Sequence, residues 1–140
     1  METKSIITLE EILIMQLNGE LNTQQDWYDL CKGYILNEDI IERYQNKFDW
    51  YFICKYQKLS ELFIEKHKDK MNWGWISINQ RLSESFIEKY QDKINWYWIS
   101  RYQKLSESFI EKHLNKLNLN YIFACQNLSK SFIKKYKDKV

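Results

Sequence analysis

Leu59, Leu82, Leu105 and Leu128 stand 23 residues apart, and each opens a copy of one phrase: LSELFIEKH, LSESFIEKY, LSESFIEKH and LSKSFIKKY. A fixed period of this length marks a tandem repeat, in which each copy buries its apolar face only by stacking on its neighbours. The register runs back to Leu36, where LNEDIIERY is a degenerate copy, and DWYDLCKGYI at residues 26–35 parallels DWYFICKYQK at residues 49–58.

Counting positions 1 to 23 from the Leu, each copy holds two helix starts. Position 2 is Ser or Asn (Asn37, Ser60, Ser83, Ser106, Ser129) and position 14 is Asp or Asn (Asp26, Asp49, Asn72, Asn95, Asn118), side chains that cap free backbone N–H groups. Leu82 with Ile87, and Ile94 with Ile99, have the spacing of hydrophobic staples around those caps. The pattern predicts a first helix over positions 3 to 12 and a second over positions 15 to 22, with Trp96, Ile99, Ser100 and Gln103 forming the buried stripe of the second. Helices of roughly 8–10 residues fall below the ~12–15 needed for marginal stability alone, so they must stack. A leucine-rich-repeat-like reading, with INWYWIS as a strand, competes on aromatic content; the cap at position 14 and the absence of Pro argue against it. The expected fold is all-α, an α-solenoid of 23-residue two-helix repeats in one domain. Its parts are an N-terminal cap over 1–25, a partial repeat over 26–35, full repeats over 36–58, 59–81, 82–104 and 105–127, and a capping helix over 128–140. In the cap, Thr8 is placed to begin a helix over LEEILIMQL and Gly19 to end it.

Apolar residues at 44% and aromatics at 16% describe a folded chain, not a disordered one. The apolar run at residues 12–15 is too short to span a bilayer and lacks the basic flank of a secretory signal, so the expectation is a cytoplasmic chain with no membrane partner. Net charge is +2 but uneven: residues 1–49 carry four Lys/Arg against ten Asp/Glu, and residues 50–140 carry seventeen against nine. This asymmetry makes the chain an electrical dipole, able to steer an acidic partner to its C-terminal half. Cys31, Cys54 and Cys125 form no CxxC pair, and the odd count points to reduced thiols. Cys31 and Cys54 share a repeat position with Ser77 and Ser100, as expected for a small buried residue between closely packed helices.

Positions that stay constant serve the stack. Gln57, Gln80, Gln103 and Gln126 all occupy position 22 and are expected to form a hydrogen-bond ladder to the turns, because an unpaired buried amide is unfavourable. Trp27, Trp50, Trp73 and Trp96 at position 15 give way to Leu119, an apolar exchange that reads as core. Position 17 holds Phe52, Trp75, Trp98 and Tyr121, roughly 200° round the helix from position 15, so the two cannot face the same neighbour. With Lys55 and Arg101 at position 20, Tyr56 and Tyr102 at position 21, and Lys58, Arg81 and Lys104 at position 23, these residues form a candidate aromatic and basic stripe. Two readings of position 17 stand: partner contact, or packing on the next repeat. His67 and His113 replace the Tyr of position 9 and lie two repeats apart, roughly 20 Å by helix-packing distance, too far to share a metal; a semi-buried ring is expected. Glu84 and Glu88, at positions 3 and 7, are expected on a solvent face. The chain lacks a phosphate-binding Gly loop, an HExxH pair and a nucleophile elbow, so no enzyme activity, metal or cofactor is expected.

Over residues 26–140, at the phrases LSESFIEKY, DKINWYWIS and RYQK, the chain resembles short helical-repeat proteins encoded by large DNA viruses and phages with AT-rich genomes, and its heavy use of Lys, Ile, Asn and Tyr fits that origin. The resemblance implies a virus- or phage-side binding module acting in the host cytoplasm. It carries no catalytic residue across. The expected function is non-enzymatic binding, and possible inhibition, of a host protein such as a defence factor through the aromatic and basic stripe. The alternatives are a solenoid that stacks single-stranded nucleic acid on its aromatics, and a structural repeat protein that assembles end to end.

Overall fold

The computed structural model describes residues 3–139, and all its named elements are helices. In chain order these are α1 (Leu9–Leu17), α2 (Gln24–Gly33), α3 (Glu38–Arg43), α4 (Trp50–Tyr56), α5 (Glu61–Lys66), α6 (Trp73–Asn79), α7 (Glu84–Lys89), α8 (Trp96–Tyr102), α9 (Glu107–Lys112), α10 (Leu119–Cys125) and α11 (Lys130–Tyr136), then a 3₁₀ turn over Lys137–Lys139. The only extended pairing among the described residues is one parallel bridge between Ile6 and Ile35. The fold is an all-α repeat solenoid, and the strand reading of INWYWIS is overturned: residues 96–102 are helix α8. No helix among the described residues is long and apolar enough to cross a membrane.

The first helices are shorter than positions 3 to 12 allow. α7 spans only Glu84–Lys89, because Tyr90 leaves helical geometry at φ −110°, ψ 27°. The chain then folds back through Lys93 N–H to Tyr90 O (2.9 Å) and Ile94 N–H to Tyr90 O (3.1 Å). This tight turn brings buried Ile94 to the start of α8, where Ile99 is also buried, the pair expected as a staple. A second correction concerns Asp26. The cap of α2 is Thr23, three residues earlier, and Asp26 sits inside the helix, accepting from Thr23 N–H at 2.6 Å to close a capping box. α1 begins at a capping box of Thr8 and Glu11, and Gly19, at φ +74°, ends it in the left-handed conformation that glycine adopts without strain.

The chain divides into two compact units, Met1–Asn72 and Trp73–Val140. Within the second, α8 packs against both α6 and α10, and within the first, α2 packs against α4. First helices are joined by side chains in both units. Glu38 receives Ser60 N–H, and Glu84 receives Ser106 N–H and Glu107 receives Ser129 N–H, each at 2.5–2.6 Å, so the carboxylate of one copy grips the cap of the next. Positions 3 and 7 do face solvent, and they also bond the next copy: Glu88 holds Lys112 (2.7 Å) and His113 (3.1 Å), Glu42 holds His67 (2.6 Å) and Lys66 (3.1 Å), and Glu111 holds Lys135 (2.9 Å) and Tyr136 (3.1 Å). His67 and His113 are buried rings, packed against Phe63 and Trp50, and against Phe109 and Trp96.

Between the layers lies a row of fully buried isoleucines, Ile41, Ile53 and Ile64 in the first unit and Ile87, Ile99, Ile110 and Ile122 in the second. The glutamine ladder is present. Gln103 accepts Leu82 N–H (3.0 Å) and donates to Ser77 O (2.9 Å) and Gln80 O (2.7 Å); Gln57 accepts Leu36 N–H and donates to Cys31 O and Tyr34 O; Gln126 repeats the pattern on Leu105, Ser100 and Gln103. One amide thereby satisfies the open backbone end of the preceding second helix and the entry to the following first helix. Ser77 and Ser100 serve the other set of turns, those that lead into the second helices, accepting Asn95 N–H (3.0 Å) and Asn118 N–H (2.9 Å). Cys54 takes that place towards Asn72 N–H at 3.4 Å. Burial pushes the thiols of Cys31 and Cys54 up to about 11, which keeps them protonated, while Cys125 is exposed.

The copy that begins at Leu128 departs from this pattern. Lys130 and Lys134 replace the glutamates of positions 3 and 7, and Ile133 is 41% exposed where its equivalent Ile110 is fully buried.

Candidate functional site

Each second helix is only two turns long, and its buried stripe uses positions 15, 18, 19 and 22. Positions 16, 17, 20 and 21 therefore project on the opposite side, an arc of roughly 140° at 100° per residue. On α8 these are Tyr97, Trp98, Arg101 and Tyr102. The helix is held in place by Asn95, whose side chain accepts from Tyr97 and Trp98 N–H, and by buried Ile99 and Ser100 beneath.

In the second unit this face is a cluster of rings around one guanidinium. The Arg101 guanidinium lies 5.3 Å from the Tyr102 ring centre and 5.2 Å from that of Tyr121 on α10. Tyr97 meets Tyr121 edge-on at 4.9 Å, and their hydroxyls hydrogen-bond at 2.5 Å. That bond pushes the Tyr97 phenol above its ordinary value. Trp98 contacts Tyr97 at 4.6 Å and Tyr102 at 5.8 Å. Tyr97 and Tyr102 are 44% and 47% exposed, and Trp98 and Tyr121 are half-buried, so the cluster is ordered by its own contacts yet open to solvent. Lys104 and Arg81 are exposed, and Trp75 on α6 is half-buried.

The first unit has a smaller counterpart. Tyr28 on α2 meets Phe52 at 4.6 Å and Tyr56 at 6.2 Å, and Phe52 stacks parallel to Tyr56 at 6.1 Å. Lys55 and Lys4 lie 5.1 and 5.3 Å from the Tyr56 ring and Lys32 lies 5.8 Å from that of Tyr28. A hydrogen bond between the two tyrosines pushes Tyr28 up and holds Tyr56 down. Lys58 is exposed.

Of the expected stripe, Phe52, Lys55 and Tyr56 thus come together in one unit and Trp98, Arg101, Tyr102 and Tyr121 in the other. The packing reading of position 17 holds for two of its residues: Phe52 and Tyr121 pack on the preceding copy's Tyr28 and Tyr97, and both are half-buried. Sequence reasoning missed Tyr28, Tyr97, Lys4 and Lys32. Tyr at position 16 recurs as Tyr28, Tyr51 and Tyr97, and that recurrence was the available signal; its pairing with position 17 of the next copy, 24 residues on, is invisible within one copy.

Charge is segregated between the two helices of a copy. The segments 50–58, 73–81, 96–104 and 119–127, which hold the second helices, contain no Asp or Glu. Fold and face together define a helical-repeat protein with an aromatic second-helix layer that holds no carboxylate in its helices from α4 onward. No family model, no curated protein and no solved structure matches the chain.

Proposed function

We propose that the chain is a non-enzymatic protein-binding repeat module whose partner docks on the aromatic face of α8 and α10. The observation that carries this reading is the Arg101 guanidinium set between two tyrosine rings, beside half-exposed Trp98 and Tyr97. Tyr, Trp and Arg are the residue types enriched in interface hot spots, and rings already fixed by neighbours lose little freedom on binding. The viral or phage origin and the host-protein partner implied by the repeat phrases belong to this proposal, with inhibition of a defence factor as one instance.

An affinity capture from host-cell lysate, with and without nuclease, tests it. The expected result is a protein retained after nuclease by the wild-type chain and lost from a folded Tyr97→Ala/Tyr102→Ala variant. Capture that vanishes with nuclease would transfer the function to single-stranded nucleic-acid binding, and capture equal for both chains would remove this face from the site.

A further inference from the structure

We infer that the partner presents a short acidic peptide segment to the α8–α10 face and that Arg101 reads its carboxylate. The inference rests on the proposed protein-binding function and adds the chemistry of the partner.

The first-helix layer shows how this fold treats carboxylates it does not offer to a partner. Glu84, Glu88, Glu107 and Glu111 are engaged by the next copy, and the cations beside them, Lys112 and Lys135, are neutralised in place. The second helices from α4 onward have no such compensation, since their segments hold no acidic residue. Arg101 has no carboxylate partner among the described residues, and its N–H groups have no acceptor there. A guanidinium held beside rings keeps its five planar donors for a bidentate acceptor, and a carboxylate matches that fork.

At the place of Arg101 itself the neighbouring copies favour a peptide over a nucleic-acid strand, although position 23 carries Arg81 and Lys104 in two adjacent copies. A repeat that follows phosphates needs a cation at the same place in each copy, because phosphates recur along the strand. At the position of Arg101 the adjacent copies of the second unit carry Ile78 and Ala124. At the position of Tyr102 they carry Asn79 and Cys125. One fork amid apolar and aromatic surface suits a segment with a central carboxylate and apolar flanks.

Selection of a random peptide library displayed on phage against the wild-type chain tests this, with a thirty-residue oligo-dT run in parallel as the phosphate probe. The enriched peptides are expected to be rich in Asp and Glu. Their Kd is expected to rise roughly tenfold or more for Arg101→Gln, the loss of a charge-assisted hydrogen-bonded pair, and Arg101→Lys should recover only part. Far-UV circular dichroism and the melting temperature should be unchanged in both variants, since Arg101 is exposed. Enriched peptides that are neutral or basic, or acidic peptides that bind Arg101→Gln equally well, overturn the inference and leave the protein-binding function standing. Oligo-dT binding in the absence of any enriched peptide overturns both. If neither probe binds, the acidic-segment inference is overturned and the lysate capture alone decides the function.

Discussion

Glu84 and Glu88 on α7 are engaged by the next first helix, through Ser106 and through Lys112 and His113, whereas Arg101 on α8 is flanked by two tyrosine rings and has no carboxylate partner among the described residues. Both helices belong to one copy and both are short, yet one bonds its charge to the next copy and the other presents it without such a bond. The difference teaches where to look for function in a repeat protein. A polar group that bonds the equivalent group of the next copy holds the stack together. A polar group left without such a bond, on an ordered surface, is available to a partner.

The comparison breaks first if the second-helix layer is not tied to the first through Gln103. Replacing Gln103 with Leu keeps the volume but leaves Leu82 N–H, Ser77 O and Gln80 O unpaired, and Gln103 is itself buried. At about 1–3 kcal/mol for each unsatisfied buried group, with partial relaxation, the expected loss is about 3–6 kcal/mol in urea unfolding. A loss below about 1 kcal/mol would show that water replaces the ladder. Ile99→Ala comes next, at about 2–5 kcal/mol, because Ile99 is fully buried. Trp98→Ala, one residue away but half-buried, should fall well below that; an equal loss would make the outer face part of the core.

Much of this was legible in the sequence because repetition supplies its own control. The caps at Ser83, Ser106 and Asn95, the boundaries of α1 at Thr8 and Gly19, and the Gln ladder follow from which residue types recur at a position and which backbone groups need partners there. Less legible was whatever depends on the offset between copies. Glu84 meeting Ser106 spans 22 residues, Glu88 meeting His113 spans 25 and Tyr97 meeting Tyr121 spans 24, and these offsets are set by how one short helix lies against the next. A helical wheel of one copy places Glu84 and Glu88 away from the buried stripe and cannot see the neighbour that bonds them. Thr23 was missed as a cap for a related reason: the partial repeat departs from the period, and Thr23 with Asp26 forms a capping box that no later copy has.

The charge bonded between copies has a pH signature. Lys112 first and then His113 hold Glu88 below the ordinary carboxylate value of 4.5, His67 and then Lys66 do so for Glu42, and Lys135 and then Tyr136 for Glu111. A carboxyl whose folded-state value is lowered binds protons more readily in the unfolded chain. Its contribution is therefore complete above about pH 4.5 and is lost as pH falls through the lowered values. Melting temperature should decline below pH 4.5, and Glu42→Gln/Glu88→Gln/Glu111→Gln should start lower at neutral pH and decline less, so that the two curves converge in acid. Parallel curves would mean that these exposed pairs contribute nothing to the stack.

The smallest expected effect sharpens the comparison at the end of the series. Lys130 and Lys134 stand where earlier copies have glutamates that hold the following cap and the following His or Tyr, and among the described residues neither lysine is bonded to another copy. If those glutamates are kept only for the successor, the sign of charge on α11 is free with respect to stability. Lys130→Glu/Lys134→Glu should then change unfolding free energy by no more than about 0.5 kcal/mol, as for exposed sites without partners. The matching reversal within the stack, Glu84→Lys/Glu88→Lys, removes acceptors from Ser106, Lys112 and His113 and should lower the melting temperature by several degrees. Equal effects at the two places would mean that positions 3 and 7 act through their own helix, by favouring acidic residues near its N-terminus, and the assignment of the first-helix layer to bonding between copies would have to be withdrawn.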